Sequence, residues 1–168
     1  MAAGKTYEPI ATTTLGSATA SVTFSSISGS YTDLVLVMNP AAASLTNVLT
    51  CQVGNGSIDT GSNYSNTYLA ASGTVQSGRY TSETFWYASF ELLTTNFSQN
   101  SIMQFLNYSN TTTYKTSLTR YNEASAGVGA YVNLWRSTSA INTIRLAIAG
   151  GTNFVSGSTF TLYGIAAA

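Results

Sequence analysis

Asn142-Thr-Ile-Arg-Leu-Ala-Ile-Ala-Gly-Gly151 and Ser158-Thr-Phe-Thr-Leu-Tyr-Gly-Ile165 decide the fold class of this chain. Ile144, Leu146 and Ile148 alternate with Arg145, Ala147 and Ala149, and Phe160 and Leu162 alternate with Thr159, Thr161 and Tyr163. A period of two places one set of side chains on the buried face of a strand. The five large apolar residues are therefore expected in the core, with Arg145, Thr161 and Tyr163 on the other face. Between the two runs lies Gly150-Gly-Thr-Asn-Phe-Val-Ser-Gly157, whose turn-forming residues predict a loop and no helix. The two runs read as a strand pair, a core hairpin that closes the domain just before the end of the chain.

The same alternation recurs toward the N-terminus. Residues 7–15 form a Thr-rich strand that Pro9 confines to a sheet edge or a strand beginning. In residues 18–25, Ala18, Ala20, Val22 and Phe24 share one face. Leu34-Val-Leu-Val-Met38 is apolar on both faces, as a central strand would be, and Asn39-Pro40 ends it. Further strands are expected over 48–53, 64–69, 84–93, 101–107, 114–121 and 129–135. Residues 54–63 and 72–82, the latter with Arg79, read as polar loops. No amphipathic helix and no repeat is visible. About ten short strands separated by Gly, Ser and Asn turns predict an all-β chain: a single-domain antiparallel β-sandwich, jelly-roll-like, over 7–168, with residues 1–6 as a flexible N-terminal arm.

Composition narrows the function. Charged residues make up 7% of the 168 residues, against about 25% in an ordinary globular chain. Six basic and six acidic residues give zero net charge without a basic run, which argues against nucleic acid as a partner. A surface this neutral lacks the repulsion that keeps proteins apart. Contact with neighbours in an assembly, or with neutral sugars, is compatible with it. No apolar run approaches the roughly 18 residues of a membrane helix, and the first six residues lack the apolar core of a secretory signal.

The chain has no histidine, the commonest general base and transition-metal ligand. Cys51 is the only cysteine and sits in a strand-like run, where a buried, inert thiol is expected. Glu83 and Glu91 are the one acidic pair beside aromatics, but on an extended strand they lie roughly 26 Å apart, too far for a glycosidase pair. Serine is abundant without a nucleophile elbow. Asp59 and carbonyls of the loop 54–63 could hold a hard cation, yet such sites draw on several carboxylates. No enzymatic activity, cofactor or metal is expected. Tyrosines beside polar segments are the remaining candidates, for they can stack on sugars or anchor a protein interface. The candidate contacts are Leu45, Asn55, Asp59, Asn63, Tyr64, Tyr68, Tyr80, Tyr108 and Tyr114.

Several segments in order resemble a group of small virion proteins of tailed phages, especially phages of marine and freshwater bacteria including cyanobacteria. They are Tyr7-Glu-Pro-Ile-Ala-Thr-Thr-Thr-Leu15, Ala20-Ser-Val-Thr-Phe-Ser-Ser-Ile27, Tyr31-Thr-Asp-Leu-Val-Leu36, Gly61-Ser-Asn-Tyr-Ser65, Leu134-Trp135 with Ala140-Ile-Asn-Thr-Ile144, and the closing run from Ser158 to Ile165. The resemblance spans nearly the whole chain and carries no catalytic motif. It implies a structural place in the virion. The expected role is a capsid decoration, or cement, protein on the outer surface of the head, contacting the major capsid protein and copies of itself as a homotrimer. The alternative is a tail-fibre or spike adhesion module that binds host surface polysaccharide. Residues 39–47, more apolar than that pattern, are expected to form a contact loop.

Overall fold

The two runs that define the fold class lie in different sheets of the computed structural model, which describes residues 6–44, 48–90, 95–97 and 99–166. Among these residues thirteen strands run in the order β1 (Tyr7–Thr14), β2 (Ser21–Phe24), β3 (Asp33–Asn39), β4 (Leu49–Asn55), β5 (Ser57–Ile58), β6 (Tyr64–Ser72), β7 (Thr74–Glu83), β8 (Trp86–Tyr87), β9 (Gln99–Leu106), β10 (Lys115–Glu123), β11 (Gly127–Trp135), β12 (Thr143–Ile148) and β13 (Thr159–Ile165). One sheet has eight strands in the order β1-β13-β3-β9-β10-β11-β6-β7. The other runs β2-β12-β4-β5, with β8 also paired to β4. All of these pairings are antiparallel.

This order is a jelly roll with additions. With β5, β6, β7, β10 and β11 set aside, β1-β13-β3-β9 faces β2-β12-β4-β8, and the first four strands alternate between the sheets. The pairs β6–β7 and β10–β11 widen the first sheet to eight strands. Pro9 lies in edge strand β1, where its missing N–H costs no ladder bond, and the register slips between Pro9 and Ala11.

The closing runs do not form a hairpin. β12 pairs with β2 and β4, whereas β13 pairs with β1 and β3. The connection turns through Ala149–Gly151 and crosses from one sheet to the other. Phe154, fully buried, bridges Thr19 and Ala42 on the way. The facial assignment nevertheless holds: Ile144, Leu146, Ile148, Phe160 and Leu162 are buried in one core with Val22, Phe24, Leu34, Leu36 and Met38. Arg145, Thr161 and Tyr163 are half-buried.

Three other expectations are corrected. Residues 72–82 are no loop, because Gly73 at φ +76° reverses the chain and β7 pairs along the whole of β6. Polar alternation hid this strand. Residues 84–90, the described part of the run 84–93, are not a long strand: among them only Trp86 and Tyr87 pair, with Cys51 and Thr50. The buried Asn66 side chain holds this segment instead, accepting from the Tyr87 N–H at 2.8 Å and donating to the Phe85 carbonyl at 3.2 Å. In residues 39–47, Ala41 and Ala42 are fully buried, so that part of the segment is core and no contact loop. Cys51 is buried as expected, and burial pushes its thiol pKa up.

Candidate interaction surface

Most residues picked from the sequence hold the fold together. Tyr64 is fully buried: its hydroxyl donates toward the Val53 and Asp59 carbonyls and accepts from the Val53 N–H. Tyr108 is fully buried too, with its hydroxyl on the Ser28 carbonyl. Neither can contact a partner. Asp59 accepts from the Trp135 indole at 2.7 Å, the Asn63 amide at 2.9 Å and the Gly61 N–H at 2.8 Å. The carboxylate is thereby occupied from within, with one of its bonds coming from the exposed Asn63 amide. Asn55 is exposed and accepts from the Asn142 amide. The loop therefore brings Asp59, Asn63 and Tyr64 together as a structural knot, while Asn55 pairs with Asn142. Among the described residues no three His, Cys, Asp or Glu side chains converge as a metal site would require. Leu45 lies outside the described residues, as does Glu91.

Tyr68 and Tyr80 meet in a second, aromatic cluster on the inner face of the widened sheet. Their rings stack at 5.6 Å, and Tyr68 also stacks on Phe90 at 5.5 Å. Tyr131 joins them through Tyr68 and Tyr87 and packs on Tyr121. The rings satisfy one another and roof the part of the large sheet where β6, β10 and β11 lie. Tyr114 is exposed, just before β10.

The feature that the sequence did not single out is the outer face of the eight-stranded sheet. Strand register lines up one row across all eight strands: Pro9, Tyr163, Val35, Gln104, Leu118, Val132, Thr67 and Arg79. A second row comprises Thr12, Thr161, Val37, Ile102, Arg120, Ala130, Leu69 and Ser77. Val128, Ala71 and Val75 continue the apolar surface at the β11–β6–β7 end. Of the ten exposed large hydrophobic residues among those described, eight belong here: Tyr7, Val37, Leu69, Val75, Ile102, Leu118, Val128 and Val132. Leu69 is 59% and Val75 77% exposed, values foreign to a finished core. A depression of about 620 Å³ opens among Tyr7, Val35, Leu69, Ile102, Gln104 and Leu118.

Seven strand spacings of about 4.8 Å by some six residues of about 3.3 Å give the face roughly 700 Å². One partner in an ordinary protein interface contributes about 800 Å². Its charges are Arg79 and Arg120, both exposed, while Asp33 at one margin accepts from the Asn107 N–H. Eight exposed large hydrophobic side chains gathered on one face, interspersed with Gln104, Thr67, Ser77 and the two arginines, mark a contact site. The signal was present in the sequence as strands apolar on both phases, such as Ile102 against Met103 and Val132 against Tyr131.

No family model matches the chain, and no curated protein is similar to it.

Proposed function

We propose that the chain is a non-enzymatic structural protein of a tailed-phage virion, decorating the outer surface of the head. The observation that carries this is the outer face of the eight-stranded sheet, which gathers eight exposed large hydrophobic residues over an extent that approaches one side of an ordinary interface. The ordered resemblance to small virion proteins supplies the setting.

The occupant of the face is the capsid shell. A second copy packed face to face would bury Arg79 and Arg120 opposite a surface whose margin offers only Asp33, already bonded, and unpaired buried charge is costly. A shell protein presenting aliphatic side chains with carboxylates would satisfy both arginines. The adhesion alternative drew on residues 54–63, whose Asp59 carboxylate is taken up by internal hydrogen bonds, one of them from the Asn63 amide. An aliphatic surface also suits protein better than sugar, which is gripped by aromatic platforms.

The test is quantitative mass spectrometry of virions that carry the chain, together with binding of the purified protein to undecorated heads. Hundreds of copies per particle, and loss of head binding in a folded Leu118→Lys, Val132→Lys variant, are expected. A few to a few dozen copies would move the protein to the tail, and a glycan array would then identify its ligand.

A further inference from the structure

We propose that Asn55–Gly56 is a self-modification site, at which Asn55 converts to aspartate or isoaspartate through a succinimide, and that the Asn142 side chain sets the rate. Asn55–Gly56 is the only Asn–Gly pair in the chain. It makes the turn between β4 and β5, where Asn55 pairs with Ser57 and Gly56 stands between them at φ +77°. Both residues are exposed, so water and hydroxide reach them. A Cβ at Gly56 would meet no atom within 4 Å, and with none present nothing crowds the attacking nitrogen. In the reaction the Gly56 nitrogen loses its proton to hydroxide and forms a bond to Cγ of Asn55. The Cγ–Nδ2 bond breaks, and the side-chain nitrogen leaves as ammonia with a proton from water. Water then adds to one carbonyl of the cyclic imide and opens it. No electrons are exchanged, and solvent supplies every co-reactant.

Asn142 touches both reacting groups. Its Oδ1 accepts from the Gly56 N–H at 2.6 Å, and its Nδ2 donates to Asn55 Oδ1 at 3.2 Å. A backbone N–H can only donate, which fixes the orientation of the Asn142 amide, and the Thr143 hydroxyl, donating to the same Oδ1 at 3.0 Å, agrees with it. The Asn142 N–H donates to the Gly54 carbonyl at 3.0 Å, so the backbone holds this side chain against the turn. The two side-chain bonds act in opposite directions. The donor on Asn55 Oδ1 steadies the oxyanion that forms on attack. The acceptor on the Gly56 N–H favours the protonated nitrogen, because an amide oxygen does not take the proton and faces the amidate with its negative end. That second bond is clearly the shorter, and it must break before the nitrogen can attack. Asn142 is therefore a latch that slows the reaction in the folded chain. Gly54 has no room for a Cβ against the Ser57 carbonyl, so the extra backbone methylene of isoaspartate does not fit this turn and opens it.

Peptide mapping by mass spectrometry tests this on the full chain incubated in mildly alkaline buffer, reading the fraction of Asn55 that carries a carboxyl in place of its amide. The wild type is expected to modify at Asn55 ahead of every other asparagine, and more slowly when folded than in urea. Asn142→Ala is expected to speed the folded chain about five-fold, the factor that one ordinary hydrogen bond corresponds to. Asn142→Asp keeps an acceptor for the Gly56 N–H and is expected to stay at or below the wild-type rate. An unchanged or slower rate in Asn142→Ala would overturn the proposal. Equal acceleration by Asn142→Asp would do the same, because the rate would then follow lost packing and not the acceptor. A wild type that modifies as fast folded as in urea, or first at another asparagine, would overturn it as well.

Discussion

Trp135 donates its indole N–H to Asp59 Oδ2 at 2.7 Å, tying the loop after β5 to the end of β11. Burial alone would raise the carboxyl pKa, but the bonds from Trp135, Asn63 and Gly61 prevail and hold it below the ordinary aspartate value. A depressed folded-state pKa contributes stability above the unfolded carboxylate value, and that contribution is lost as pH falls through the folded value. Stability is therefore expected to be flat from neutral pH to about 5 and to fall below about 4. Asp59→Asn should cost about 2 kcal/mol at neutral pH and flatten part of the acid slope. Urea unfolding followed by tryptophan fluorescence across pH measures both.

Leu162 is fully buried in the main core. Leu162→Ala should cost about 2–5 kcal/mol. Leu162→Asp places an unpaired charge there and is expected to unfold the protein. Circular dichroism of the two variants decides the point, since an unchanged melting temperature for the aspartate would contradict the assignment of faces.

Tyr131 is 1% exposed, and its hydroxyl has no hydrogen-bond partner among the described residues. Burial, reinforced by the neighbouring tyrosines, pushes its pKa up. Removing an unsatisfied buried hydroxyl removes a desolvation cost, so Tyr131→Phe should leave stability unchanged or raise it by about 1 kcal/mol. Tyr131→Ala should cost about 3–5 kcal/mol, because the ring packs on Tyr68, Tyr87 and Tyr121. Thermal denaturation of the pair separates the ring from its hydroxyl.

Leu118 and Val132 sit directly opposite each other on the outer face, 45% and 54% exposed. Exchanging either for serine should change the stability of the isolated chain by no more than about 0.5 kcal/mol. A loss as large as that of Leu162→Ala would mean that the face is already covered within the chain. Chemical denaturation is sufficient to tell.

Gly164 faces the Tyr31 ring so closely that a Cβ would stand 2.3 Å from it. Gly164→Ala is expected to cost about 1–3 kcal/mol through overpacking. The effect should vanish in large part when Tyr31 is shortened to alanine as well, which a double-mutant cycle measures.

The sequence by itself determined which residues of the closing runs are buried. Ile144, Leu146, Ile148, Phe160 and Leu162 alternate with smaller or polar neighbours, and that local pattern reports burial whichever strand lies alongside. It narrowed Pro9 to a sheet edge or a strand beginning for an equally local reason, since a residue without an N–H has no ladder bond to give. The tertiary structure alone decided that β12 and β13 belong to different sheets, because a period of two does not name a strand's neighbour. It also decided the fate of Tyr64, Tyr108 and Asp59. Their chemistry suits a contact as well as a core bond, and only the approach of Val53, Ser28 and Trp135 consumes it. The outer face was legible only in fragments, as strands apolar on both phases. Long-range register sets Val35, Leu118 and Val132 in one row beyond the reach of the core, and that alignment turns scattered aliphatic residues into a surface.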